Sequence, residues 1–404
     1  MAKLSLIRDK IGGRDPGLLP GSLNYPRPVL DPQYALYYQR GRVMDIPTEI
    51  REKFATDGPA AFGRDPQTGL PIYGPLPYEQ CFPTNVPNEL NLSGSWQVAK
   101  PLLAQLGIQI ETKILEGAFG EVWRVDMGPG NGTMAVKILQ IWQFVNLYGS
   151  LTEAMRMMLR DVESVRGLRH PNMVSVETVL HVRDDRTGFP SLYSFIFMEL
   201  CDGDLLDEMD SLPDQVYDEI GAHRWLKQVI EGLGYLHQNR VAHLDIKPDN
   251  ILFLKQPHGA PHIYKLADFG LAEVFHADEP SMERSVKKGT ARYLAPEVFA
   301  YKQLPPNSPI QMFNTEKLDI YSLGMTMALS LIGFDEIDQY CYPTTGWLRD
   351  VSPNSFIDDS LVFTGKFEKN HPMIELLMLM TSTVPGERPT VQYVRTCPWM
   401  QQVL

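Results

Sequence analysis

The chain has 404 residues, of which 44% are hydrophobic and 21% charged, and it carries a formal net charge of −12. That length accommodates two or three structural units with large cores, and the composition is that of a globular protein. The negative charge argues against non-specific nucleic-acid binding and against an anionic membrane surface.

Cys81, Cys201, Cys341 and Cys397 lie too far apart for a zinc site or a disulfide framework, so a reducing compartment is expected. The longest apolar run, around Met325 to Phe334, is about half of what a bilayer span requires, so no membrane insertion is expected. The N-terminus is broken by charge too early for a secretory segment, and a cytoplasmic or nuclear location follows by default.

Residues 1–105 are rich in Pro and Gly, with Tyr34, Tyr37, Tyr38, Phe54, Phe62, Tyr73 and Trp96 interleaved. Long helices are disfavoured there, and only Pro47 to Phe54 reads as a short helix, with Thr48 as its N-cap. The aromatic content favours partial packing on a neighbouring domain over full disorder. No motif assigns this extension a role.

From Ile108 the pattern becomes alternating, the mark of a strand. The stretch Leu115-Glu-Gly-Ala-Phe-Gly-Glu-Val122 follows, then a hairpin turn over Gly128 to Gly132 and a second strand, Thr133 to Leu139. A glycine-bearing turn between two strands lets backbone N–H groups approach phosphates without side-chain obstruction. Leu151 to Leu168 reads as a helix, with Ser150 and Glu153 as a capping box and Leu151, Met155, Met158, Val162 and Val165 on one apolar face. Ser194 to Cys201 is a mostly apolar strand that runs into an acidic turn. Asp204, Asp207, Glu208 and Asp210 there form either a solvated face or a surface for a basic residue of a substrate. Trp225 to Asn239 and Lys317 to Gly333 read as buried helices.

Between those two helices lies Val241-Ala-His-Leu-Asp-Ile-Lys-Pro-Asp-Asn-Ile-Leu252. Pro248 forbids a regular helix through it, so Asp245, Lys247 and Asn250 sit on a loop with apolar anchors at both ends. The pattern H-x-D-x-K-P-x-N resembles the catalytic loop of the protein kinases. Met134-Ala-Val-Lys137, His170-Pro-Asn, Asp268-Phe-Gly270, Ala295-Pro-Glu297 and Arg388 follow the same family in the same order.

The resemblance implies an α+β bilobal fold, with a small β-rich N-lobe carrying one main helix and a larger helical C-lobe. The catalytic domain would cover residues 106–402: N-lobe to 198, hinge 199–204, C-lobe 205–402. It implies that Asp245 handles the substrate hydroxyl proton, that Lys247 reaches the γ-phosphate, and that Asn250 and Asp268 bind Mg²⁺. ATP would sit against Leu115, Gly117, Gly120, Val122, Ala135, Met198 as gatekeeper, the backbone of Glu199 to Cys201, and Leu252. Lys137 would pair the phosphates, and Asp161 would stand where the family places the glutamate that pairs with that lysine. Asp319 would brace the catalytic-loop backbone, Arg388 would pair with Glu297, and His243 is a core residue rather than a base.

Three positions depart from the family pattern: Leu115 replaces the first glycine of the nucleotide loop, Asp161 the helix glutamate and Leu244 the arginine before the catalytic aspartate. Without that arginine, a phosphorylated residue among Ser281, Ser285 and Thr290 lacks its usual bidentate partner, although Lys287 and Lys288 offer a substitute. Lys247 and Thr290 resemble the serine/threonine-specific branch. Two readings follow: an ATP-dependent kinase acting on Ser/Thr of protein substrates, with basic residues near the phosphorylated site as one option, or a pseudokinase that binds nucleotide or partners.

Overall fold

A computed structural model of the chain describes residues 103–104, 108–117, 120–127, 132–141, 143–144, 158, 168–184, 191–212, 214–275, 279–305, 307–334, 341–342, 346–347 and 353–403. They fall in two compact units, residues 103–168 with 175–200 and residues 169–174 with 201–403. The short helix expected at 47–54 lies outside the described residues. So does the expected 151–168 helix except for Met158, which is helical and buried, and Leu168. Asp161 is among the residues left outside.

The first unit is built on β1 (Gln109–Gly117), β2 (Gly120–Asp126), β3 (Thr133–Gln140), β4 (Val176–Asp184) and β5 (Ser191–Met198). They form one antiparallel sheet in the order β1-β2-β3-β5-β4. Residues directly opposite each other in such a sheet share a face. The register Val122↔Lys137↔Ile196 and Ala135↔Met198 therefore gathers Val122, Ala135, Lys137, Ile196 and Met198 on one side. The opposite side is an apolar core of Trp123, Val125, Val136, Ile138, Tyr193, Phe195 and Phe197, joined by Leu103 and Ile108 from the segment ahead of β1.

Expected and observed bounds differ most at β5, which begins at Ser191 and ends at Met198, so that Cys201 lies beyond the strand. At Gly120 the reason for glycine is steric. A Cβ there would stand 2.2 Å from the Ile138 carbonyl oxygen on β3, so any side chain would push the two strands apart.

The second unit opens with β6 (Gly203–Asp204) and helix α1 (Leu205–Ser211), followed by α2 (Glu219–Gln238). Helix α2 begins ahead of the expected Trp225 because Asp218 caps it, accepting from Gly221 N–H at 2.7 Å. Its buried stripe holds Trp225, Leu226, Val229, Ile230, Leu233 and Leu236. Three short strands follow, β7 (Val241–Ala242), β8 (Ile251–Leu254) and β9 (Ile263–Leu266), then β10 (Glu273–Val274). Strand β8 pairs with β6 and β9, and β7 with β10. The Val241–Leu252 loop is thus stretched between two strand pairs.

Beyond them lie α3 (Pro296–Lys302) and α4 (Thr315–Ile332), the latter buried on nearly every side and capped by Asn314. Helix α4 packs against α2 and against the helix Pro372–Met380. No described helix is long and apolar enough to cross a membrane.

Candidate active site

The Val241–Leu252 loop is shaped from below by one buried carboxylate. Asp319, on the first turns of α4 and fully buried, accepts from the backbone N–H of His243 at 2.9 Å and of Leu244 at 2.7 Å. Its Oδ2 also meets His237 Nε2 from the end of α2 at 2.8 Å. An ionised carboxylate that accepts backbone N–H groups makes strong bonds, and these pin a turn that strains the backbone at Leu244, whose φ is +64°.

His243 is wholly buried. Its Nδ1 accepts from the Asp245 N–H at 3.3 Å, so the ring proton sits on Nε2, which donates to the Ala267 carbonyl at 2.9 Å. With both nitrogens engaged, the ring serves as a strut, not a base.

The side chains above this turn converge on Asp245. Pro248 to Asn250 form a 3₁₀ turn that aims Asn250 back at the aspartate. Asn250 Nδ2 donates to the Asp245 carbonyl at 2.8 Å and to Asp245 Oδ2 at 3.1 Å. The amide therefore turns its nitrogen toward Asp245, which leaves its oxygen as the end that can ligate a hard cation. Lys247 Nζ lies 3.6 Å from Asp245 Oδ2. From another part of the chain, Thr290 donates both its N–H, at 3.2 Å, and its hydroxyl, at 2.8 Å, to Asp245 Oδ1.

Asp268 is placed by the backbone. The Ala267 N–H donates to the Asn250 carbonyl at 2.9 Å, and Asp268 itself holds φ at +55°. Its Oδ1 accepts from Gly270 N–H at 3.3 Å, and the residue is exposed. Strained left-handed residues at Leu244 and Asp268 flank the same few side chains, and such strain persists only where the surroundings over-determine it.

Of the expected residues, Asp245, Lys247, Asn250 and Asp268 are thus gathered in the second unit, which also holds Cys201 and Leu252. Leu252 lies on β8, opposite Asp204 on one side and Lys265 on the other. Leu115, Gly117, Gly120, Val122, Ala135, Lys137, Met198 and Glu199 belong to the first unit. Leu115 is 57% exposed and pairs with Val122 across the β1–β2 hairpin. The N–H of Glu199 donates to the Ser175 carbonyl at 3.0 Å, so that group is already used within the unit.

The acidic run needs a correction, because Asp204 and Glu208 are only partly exposed and have partners of their own, while Asp207 and Asp210 are exposed. Asp204 caps α1, accepting from Leu206 and Asp207 N–H at 2.9 and 3.0 Å, and Asp207 returns the bond in a capping box. Glu208 is turned inward, where it accepts from Tyr217 and Tyr264 hydroxyls at 2.8 and 3.0 Å and meets His262 Nδ1 at 3.1 Å. Asp210 alone of the four is an exposed carboxylate without an inward task. Burial, with the charges of Asp207 and Asp249 nearby, raises the Asp204 carboxyl from its ordinary 3.8 to about 6.

Farther back, the buried Arg388 makes a bidentate pair with Glu297, both bonds 2.7 Å, and donates to the Ser382 carbonyl at 2.9 Å. This ties the segment that carries Thr290 to the helical core. Sequence reasoning had no route to the Thr290–Asp245 contact or to the His237–Asp319 pair. The first is signalled only by a threonine ahead of Ala-Pro-Glu, and the second by a histidine at the end of α2.

Residues 108–400 match the protein kinase domain family, and the chain belongs to it. The chain is 29% identical over 286 residues to calcium-dependent protein kinase 6 of Plasmodium berghei, covering 70% of this chain and 16% of that protein. It is 28% identical over 248 residues to death-associated protein kinase 2 of Mus musculus, covering 60% of this chain and 58% of that one. To the serine/threonine-protein kinase cds1 of Schizosaccharomyces pombe it is 33% identical over 198 residues, 49% of this chain and 38% of the relative. In each case the matched stretch is less than two thirds of the relative's length.

Proposed function

We propose that the chain is an active ATP-dependent protein kinase that phosphorylates serine and threonine hydroxyls of protein substrates. The observation that carries this reading is the convergence of Lys247, Asn250 and Thr290 on the Asp245 carboxylate. Phosphoryl transfer asks a protein for positioning and charge neutralisation more than for covalent help, and this cluster supplies both. As the substrate oxygen bonds to the γ-phosphorus and the bond to the ADP oxygen breaks, the hydroxyl proton passes to Asp245. The Lys247 ammonium offsets charge on the transferred group. Lys137 orients the α- and β-phosphates, with Asp161 at the position where the family resemblance implies its acidic partner.

The amide oxygen of Asn250 and the Asp268 carboxylate are hard oxygen donors of the kind Mg²⁺ takes together with nucleotide phosphates. When bound, the ion neutralises phosphate charge. Asp204, Asp207 and Asp249 together leave negative charge beside the loop even though Asp204 and Asp207 also cap α1, which supports a basic residue near the phosphorylated site of the substrate.

A second reading, a pseudokinase scaffold, is motivated by Leu115, Asp161 and Leu244. The two are separated by transfer of ³²P from γ-labelled ATP to peptides that present Ser, Thr or Tyr in one basic context. Label on Ser and Thr but not Tyr is the expected result. Label on Tyr alone would overturn the specificity, and no label with intact nucleotide binding would favour the scaffold.

A further inference from the structure

We infer that Glu273 is a positioning residue: its carboxylate clamps the segment that carries Thr290 in the place where a phosphate on that segment would otherwise act. Lys288 Nζ meets Glu273 Oε1 at 2.7 Å, and Arg284 Nε lies 3.9 Å from Glu273 Oε2. All three side chains are largely buried. Burying charges costs free energy unless they are well paired, and loss of one partner leaves the other stranded. The segment from 279 to 290 is thus closed onto β10 by two cations of its own.

Glu273 is in register with Ala242 on β7, which leads directly into His243 and Leu244. Lys288 is followed by Gly289, at φ +114°, where a Cβ would stand 3.3 Å from the Leu244 carbonyl oxygen. Thr290 comes next, with its two bonds to Asp245. Leu244 has no cation to hold a phosphate, and the polarity at this point is reversed: strand β10 carries the anion and the segment from 279 to 290 carries the cations.

Further contacts hold the same segment. Arg284 pairs with Glu279 at 3.1 Å and lies over the Phe275 ring at 4.4 Å, and Arg240 donates to the Glu279 carbonyl at 2.6 Å. Lys287 is directed elsewhere, over the Tyr301 ring at 4.2 Å. Lys288 is therefore engaged by a carboxylate, and the substitute anion site expected of Lys287 and Lys288 is not assembled. The catalytic consequence of the clamp rests on the kinase reading, whereas its existence does not.

The test compares hydrogen exchange and steady-state turnover of Glu273→Gln, Lys288→Met, the double variant and Lys288→Arg, all in the full chain. In exchange measured without nucleotide, each single variant is expected to speed residues 283–292 by roughly tenfold or more while α4 keeps its protection. The double variant should be no faster than the singles, and Lys288→Arg should stay near wild type. In turnover, kcat should fall in both singles with KM for ATP unchanged. Unchanged exchange in both singles, or effects that multiply in the double variant, would overturn the clamp. Lys288→Met, at the more exposed end, decides the matter if Glu273→Gln does not fold. An inert wild type would sink the kinase reading but leave the exchange comparison decisive for Glu273.

Discussion

Thr290 places two donors on one carboxylate oxygen of Asp245, a residue 45 positions earlier in the chain. The N–H and the hydroxyl share Oδ1, which leaves Oδ2 to Asn250 and Lys247. The aspartate is therefore held from both sides with its plane fixed, as the proposed role of accepting the substrate hydroxyl proton requires.

Removing the hydroxyl keeps the N–H bond but takes away the shorter of the two bonds to Oδ1, which loosens the carboxylate. Thr290→Val is expected to lower kcat roughly 10–100-fold with little change in KM for ATP, because the loss falls on orientation in the transition state. Thr290→Ser should retain most of the activity. Steady-state kinetics check both, and equal losses in the two variants would contradict the assigned role.

Asp319 is buried and holds up two backbone N–H groups and His237. Asp319→Ala leaves all three without an acceptor and should destabilise the second unit by about 3–5 kcal/mol. Urea unfolding of the variant beside wild type measures this directly. A loss below about 1 kcal/mol would mean that water takes over the three donors.

The raised Asp204 carboxyl has a defined sign. A carboxyl that binds its proton more tightly in the folded state loses stability as pH rises from its ordinary 3.8 through about 6, and the loss is complete above that. Asparagine caps a helix as well as aspartate does, so Asp204→Asn should match wild type at pH 4 and equal or exceed it at pH 7. The same change should weaken the proposed preference for basic peptides. Stability curves from pH 4 to 8 test the first point, and a variant that is less stable at pH 7 would contradict it.

Leu244 and the Glu273–Lys288 pair bear on regulation. Ser281 is exposed, and the Ser285 hydroxyl donates to Tyr301 Oη at 3.2 Å. Neither side chain faces an arginine at position 244, so Ser281→Ala and Ser285→Ala should each stay within about twofold of wild-type turnover, as should phosphatase-treated protein. Activity lost in an alanine variant and regained with an acidic replacement would refute this.

How far the sequence reached depended on the range of each interaction. Local periodicity was enough to read β1, β3 and β5 of the first unit, α2 and α4, but not β4, and the contiguous Asp245-to-Asn250 spacing exposed the loop. Asp319 and the Arg388–Glu297 pair were legible only through family resemblance, since nothing near them in sequence announces a partner. In the acidic run, a solvated face fails at Glu208. Glu208 looks solvated in a row of carboxylates, yet its partners Tyr217, Tyr264 and His262 arrive from α2's approach and from β9. Helix bounds slipped where a cap decided them, as Asp218 does for α2. Glu273 is unremarkable in sequence, and Lys288 drew notice only as a substitute anion site; their pairing across 15 residues emerges only in the fold.

Phosphoryl transfer by this site is checked by ATP turnover with Mg²⁺ and a basic serine/threonine peptide, wild type beside Asp268→Asn. Asp268 is exposed and held by backbone geometry, so its replacement should leave the fold intact while removing a charged oxygen ligand. The account predicts phosphopeptide formation by wild type and a loss of roughly a hundredfold or more in the variant. Turnover unaffected by Asp268→Asn, or a wild type that binds ATP without transferring phosphate to any Ser/Thr peptide, would contradict it.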